Sequence, residues 1–139
     1  MVSAGRILVI DDDAPFLKVV NVMLATAGYV VQEAANGKIG LACYQQQRSD
    51  VVITDILMPD REGLETIRAL KVFDPDVKII AMSVGGEGRL GYLQTAVAFG
   101  ARGTLHKPFS REQLLMTLAD VFKDASSNRV IARQPKPER

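Results

Sequence analysis

The sequence predicts a doubly wound α/β domain, a five-stranded parallel sheet covered by helices on both faces. Three observations predict it. Five short apolar runs alternate with five stretches whose apolar residues recur at helical spacing, which is the pattern of strand–helix–strand units. The run Val51-Val52-Ile53 has no alternating polar residue, as expected of a strand buried on both faces. Four of the five runs end in residues able to do chemistry, where such sheets place their ligands. Chain chirality makes the crossovers right-handed.

The first strand is Arg6 to Ile10. Asp13 follows as a helix cap, with Pro15 in the first turn. Phe16, Val19, Val20, Met23 and Leu24 carry that helix, and Gly28 ends it. Tyr29 to Ala34 is the second strand. Asn36-Gly37 opens a helix through Gln47 that carries Ile39, Cys43 and Tyr44. Val51 to Thr54 is the third strand. Gly63 precedes a helix from Leu64 to about Val72, which Asp74-Pro75 breaks. Val77 to Met82 is the fourth strand, and the turn Ser83-Val84-Gly85-Gly86-Glu87-Gly88 follows. A helix runs from Arg89 to Phe99 and closes at Gly100. Arg102 to His106 is the fifth strand. Ser110 and Gln113 form a capping box for a last helix through about Lys123. The domain is thus expected over residues 1–124, with 125–139 a polar, Pro-containing, disordered tail of basic cast.

Composition narrows the function. The net charge is +1, so no global field draws the chain to nucleic acid or an anionic membrane. One cysteine, Cys43, excludes an internal disulfide and a thiolate metal cluster and fits a reducing cytoplasm. On the helical stripe it reads as core rather than as a redox sensor. No apolar run reaches the ~20 residues of a membrane helix. Met1 to Gly5 lead straight into a strand, which leaves no room for a signal peptide.

The strand ends collect the polar chemistry. Strand one ends in Asp11-Asp12, strand three in Asp55, strand four in Ser83 and strand five in Lys107. Glu33 and Asn36 follow strand two and are remote if that strand is an edge. Any one of these could be a turn residue, a cap or a solvated charge; their conjunction is the signal. Three carboxylates in one crevice would force one to stay protonated unless a cation joins them. Mg²⁺ suits such a site, since it takes few protein ligands along with water and phosphate oxygens. Lys107 adds a second positive charge. That combination serves phosphoryl transfer, with Asp55 as the nucleophile.

These residues, in the motifs "ILVIDDD", "VVITDILMPDREG", "IIAMS" and "LHKPF", resemble those of response-regulator receiver domains of the CheY-like kind. The resemblance covers Arg6 to about Lys123. It implies a flavodoxin-like sheet in the order 2-1-3-4-5. It implies that Asp55 accepts a phosphoryl group from a phosphohistidine on a sensor histidine kinase or histidine phosphotransfer protein. Asp11 and Asp12 would hold Mg²⁺, together with Asp55 and the Leu57 backbone carbonyl. Ser83 and Lys107 would bind phosphoryl oxygens, and the Lys107-Pro108 bond would be cis. Leu57 and Gly85 would flank the path of attacking water without orienting it, so self-dephosphorylation would be slow. The chain would not be an enzyme beyond these two reactions on itself. Output would pass through the fourth helix, fifth strand and fifth helix to a protein target. The tail is too short for a DNA-binding helix-turn-helix, so no direct DNA contact and no membrane contact are expected.

The chain departs from the family at Thr104, where receivers carry Tyr or Phe. An aromatic switch coupled to Ser83 has no counterpart there, which leaves Thr104 itself, Tyr92 or Phe99 to respond. The glycine-rich stretch after Ser83 is about two residues longer than in CheY-like chains. His106, the one histidine, reads as a packed or surface residue. Two other functions remain open on the residues. One is a small phosphatase of the haloacid-dehalogenase type, for Asp11-x-Asp13, although Pro15 stands where Thr or Val is usual. The other is a phosphorylation-independent adaptor with the same fold. The same motifs would also fit one module of a larger regulator or hybrid kinase.

Overall fold

The computed structural model describes residues 4–56, 62–84 and 90–133. Five strands alternate with five helices along the chain. They are β1 (Gly5–Ile10), α1 (Ala14–Ala25), β2 (Tyr29–Ala34), α2 (Gly37–Gln46), β3 (Val51–Asp55), α3 (Glu62–Phe73), β4 (Ile79–Val84), α4 (Leu90–Ala98), β5 (Gly103–Lys107) and α5 (Arg111–Arg133). All the strand pairs are parallel and the sheet order is β2-β1-β3-β4-β5. The predicted class and strand order therefore stand.

Successive strand residues point to opposite faces, and here both faces are apolar. Leu8, Ile10, Val52, Ile79 and Ala81 meet Leu64, Ile67 and Leu70 of α3 and Leu93 and Ala96 of α4. Ile7, Val9, Val51, Ile53, Ile80, Met82 and Leu105 meet Leu17, Val20 and Leu24 of α1 and Leu114, Leu118 and Val121 of α5. Two cores, one on each side of the sheet, explain why the central strands carry no polar alternation.

The ends of the elements have local causes. Asp13 caps α1 by accepting from the Phe16 N–H at 3.1 Å, with Pro15 just inside. Asn36 caps α2 by accepting from the Ile39 N–H at 2.8 Å. Ser110 and Gln113 bond each other's backbone N–H reciprocally, at 3.0 and 2.8 Å. A Cβ on Gly63 would run into the backbone at Asp55 and Ile56. Glycine there is what lets α3 begin against the end of β3.

Some boundaries and faces differ from the expectation. β4 lies two residues later than predicted and includes Ser83 and Val84. Val77 and Lys78 form the approach, and the Lys78 carbonyl already accepts from the Val52 N–H. On α1, Val19 is half exposed while Leu17 takes the core position. On α2, Ile39 is exposed and Gly40 is buried against Ile10. A mostly apolar helix has several candidate stripes, and packing against the sheet chooses one. The last helix was expected to end near Lys123 but continues to Arg133. The next proline is Pro135, so nothing in the sequence stops the helix sooner.

A polar cluster ties the lower end of the sheet's α2–α3 face. The Tyr44 hydroxyl donates to Asp74 at 2.6 Å, and Arg48 pairs with the same carboxylate at 3.3 Å. Tyr44 packs edge-on against Phe73 at 6.1 Å. The Tyr44 hydrogen bond, then the Asp76 N–H and Arg48, hold the Asp74 carboxyl below the usual range. A depressed carboxylate stabilises the fold above its unfolded pKa of about 4 and stops doing so as pH falls through the folded value. Tyr44→Phe is expected to cost about 1–3 kcal/mol at neutral pH. The gap to wild type should narrow in acid, as urea unfolding at a series of pH values would show.

Candidate functional site

The strand register brings the predicted residues to one rim. Ile10 pairs with Thr54, Asp55 with Met82, Ser83 with His106 and Val84 with Lys107. Asp11 follows β1 directly, Asp55 closes β3 and Lys107 closes β5. Parallel strands with matched ends thus deliver their last side chains to a common crevice.

Within it, one oxygen from each of Asp11, Asp12 and Asp55 lies within 4.8 Å of the others. Asp11 is fully buried, Asp55 nearly so, and Asp12 is exposed, so the cluster opens to solvent on the Asp12 side. The Lys107 Nζ donates to Asp11 Oδ2 at 2.6 Å and to Asp55 Oδ2 at 3.1 Å. Asp11 also accepts from the Asp13 N–H at 2.9 Å. Burial pushes the Asp11 carboxyl up from its ordinary value, against the pull of Lys107. Burial works against the Lys107 ammonium too, but Asp11 and Asp55 outweigh it and its pKa is raised. Among the described residues the pocket is therefore ionic and crowded with negative charge, with three carboxylates beside the Lys107 ammonium. All-oxygen donors, an open side and excess negative charge fit a hard divalent cation that keeps part of its water.

Ser83 stands on the neighbouring strand, one residue past the partner of Asp55, and is fully buried. Its hydroxyl donates to the Val84 carbonyl at 3.3 Å. Leu57, Gly85 and the glycine-rich stretch after Val84 fall outside the described residues, at 57–61 and 85–89. The Lys107-Pro108 peptide is cis, as the resemblance implies.

Other candidates lie elsewhere. Asp13 is occupied as the α1 cap. Glu33, on the edge strand β2, bonds Asn21 at 2.7 Å and Lys18 at 3.2 Å. His106 is exposed and lies outside the carboxylate group. Thr104 is half-buried and borders two surface hollows. One, of about 320 Å³, faces α5, and the other, of about 190 Å³, faces α4. Phe99 packs on the α2–α4 core with the Arg68 guanidinium 5.8 Å from its ring centre. The Tyr92 side chain is outside the described residues. Cys43 is part of the core edge, its sulfur accepting from Gln32 at 3.3 Å.

Sequence reasoning missed what surrounds Lys107. The Phe16 ring lies 4.4 Å from its Nζ, and Phe109 closes on Phe16 edge-on at 5.6 Å. The Lys-Pro-Phe run marked Phe109, but no spacing rule connects Lys107 to a residue on α1.

Comparisons with known proteins agree with this geometry. The model of the response regulator receiver domain matches residues 7–119. The chemotaxis protein CheY of Thermotoga maritima is 32% identical over 119 residues, or 85% of this chain and 98% of that protein. Sporulation initiation phosphotransferase F of Bacillus subtilis is 30% identical over 109 residues, or 78% of this chain and 86% of that protein. Among solved structures, the CheX–CheY–BeF3–Mg²⁺ complex from Borrelia burgdorferi matches with a TM-score of 0.76 at 25% identity, over 84% of this chain and 88% of that one. No helix among the described residues is long and apolar enough to cross a membrane. Because the family match runs from β1 into α5, it takes in every strand end that builds the site, and the chain belongs to the response regulator receiver domains of two-component systems.

Proposed function

We propose that the chain stores a phosphoryl group on Asp55, taken from a phosphohistidine on a sensor histidine kinase or histidine phosphotransfer protein. The observation that carries this reading is Lys107 bridging Asp11 and Asp55 beside the exposed Asp12. An Asp55 oxygen attacks phosphorus, the phosphorus–nitrogen bond breaks, and the leaving imidazole keeps the electron pair and takes up a proton. Asp11, Asp12, Asp55 and the Leu57 carbonyl would hold Mg²⁺, which when bound neutralises charge on the transferring group. Lys107 exchanges Asp55 Oδ2 for a phosphoryl oxygen, a charge-assisted bond that the rigid strand end pre-positions. The Ser83 hydroxyl turns from the Val84 carbonyl to another phosphoryl oxygen. That movement reshapes the α4–β5–α5 face, where a downstream protein docks, and slow self-dephosphorylation resets it. That the similar Borrelia burgdorferi complex contains BeF3 and Mg²⁺ supports the ligand assignment.

Of the two rival functions, the phosphatase is not favoured because the Asp13 carboxylate caps α1 and is not part of the group that Asp11 forms with Asp12 and Asp55. The adaptor is not favoured because the full set of three carboxylates and Lys107 is assembled. Label moving from a phosphohistidine-bearing donor to the wild-type chain, and not to Asp55→Asn, tests the proposal. Equal labelling of both proteins would refute it.

A further inference from the structure

Lys107 has only 12% of its side chain exposed, so its ammonium has given up most of its water. Two carboxylates replace part of that shell. The Phe16 ring replaces another part, with its centre 4.4 Å from Nζ. A desolvated ammonium over an aromatic face is held by the ring quadrupole, which a saturated side chain of similar size lacks. The ring itself is fixed from two directions. Its backbone N–H is bound by the Asp13 cap at 3.1 Å. The ring also packs T-shaped with that of Phe109, centres 5.6 Å apart at 85°, and Phe109 is buried. Phe16 touches neither metal nor phosphoryl group in the reading above; its contact is with the cation that serves them.

We propose that Phe16 is a positioning residue, whose ring face holds the Lys107 ammonium at the place from which it meets the phosphoryl group on Asp55. This rests on the proposed function, and the test separates the two. Phe16→Leu keeps an apolar side chain against the α1–α5 core but removes the face; Phe16→Tyr keeps the face. Labelling by a small phosphodonor at saturating Mg²⁺ should slow about three- to tenfold in Phe16→Leu and recover in Phe16→Tyr. Mg²⁺ affinity by calorimetric titration should stay within about twofold in both, because the three carboxylates proposed to hold the ion are unchanged. An independent readout needs no phosphorylation. The Lys107 ε-methylene proton resonances should be displaced upfield by the ring current in wild type and Phe16→Tyr, and not in Phe16→Leu. The proposal is overturned if Phe16→Leu labels as fast as wild type, or if Phe16→Tyr is equally slow. It is also overturned if Mg²⁺ affinity falls in step with the rate, or if the wild-type resonances show no ring-current displacement. Failure of the underlying function would look different: a wild-type chain that takes no label on Asp55.

Discussion

Lys107→Met is expected to unfold about 3 kcal/mol more easily than wild type in metal-free buffer at neutral pH. Methionine fills nearly the same space, so the loss isolates the charge. Asp11 has no exposed side-chain surface and Asp55 has 7%, and both lose their cationic partner. Burial already raises the Asp11 carboxyl, and Lys107 is the strongest opposing influence. Without it the folded-state pKa climbs further. The native state then binds a proton that the unfolded chain releases, so stability falls as pH rises through the carboxylate range. The deficit should therefore be small near pH 4, where the unfolded carboxylates are themselves half protonated, and open fully by pH 7. Urea unfolding at both pH values measures it. A variant as stable as wild type at pH 7 would mean that solvent, rather than Lys107, carries the carboxylate charge. The same variant should still bind Mg²⁺, since a competing cation has gone, yet lose the chemical-shift response to phosphorylation.

Mg²⁺ is expected to stabilise the wild-type fold by about 2.7 kcal/mol at a hundredfold excess over its dissociation constant. The physical source is relief of repulsion among three carboxylates held within 4.8 Å. Asp12→Ala should lose most of that gain. Asp12 is the exposed member of the group, so its removal spares the core and the metal-free variant should fold normally. Thermal unfolding with and without Mg²⁺ separates the two effects. A wild-type melting temperature indifferent to saturating Mg²⁺ would contradict the site.

Much of this was legible because strand ends are simple to read. β1 and β3 each carry a continuous apolar run closed by a recognisable break, β2 opens on Tyr29-Val30-Val31, and the bounds of all three fall within a residue of expectation. Asp11, Asp12, Asp55, Ser83 and Lys107 follow from those ends once the sheet is parallel, since register then aligns them. What was less legible depends on packing. β4 was placed early because Val77 is apolar and buried yet precedes the ladder. On α1 and α2 the core stripe runs through Leu17 and Gly40 rather than Val19 and Ile39. The aromatic contact to Lys107 joins residues 91 positions apart, Phe16 and Lys107, whose meeting depends on how α1 leans over the sheet. The Tyr44–Asp74 hydrogen bond is of the same kind, a pairing of two helix ends that no periodicity announces.

The central claim is that the buried carboxylate at the tip of β3 carries the phosphoryl group, and one measurement addresses it directly. Wild type and Asp55→Asn are incubated with a small phosphodonor and Mg²⁺, and the modified residue is mapped by peptide mass analysis after trapping the acyl phosphate. Asn is nearly isosteric and keeps the fold, so any difference lies in the chemistry. The account predicts a single label on Asp55 in wild type, dependent on Mg²⁺, and none in the variant. Label of equal extent in Asp55→Asn, or label in wild type mapped to any other residue, would contradict it.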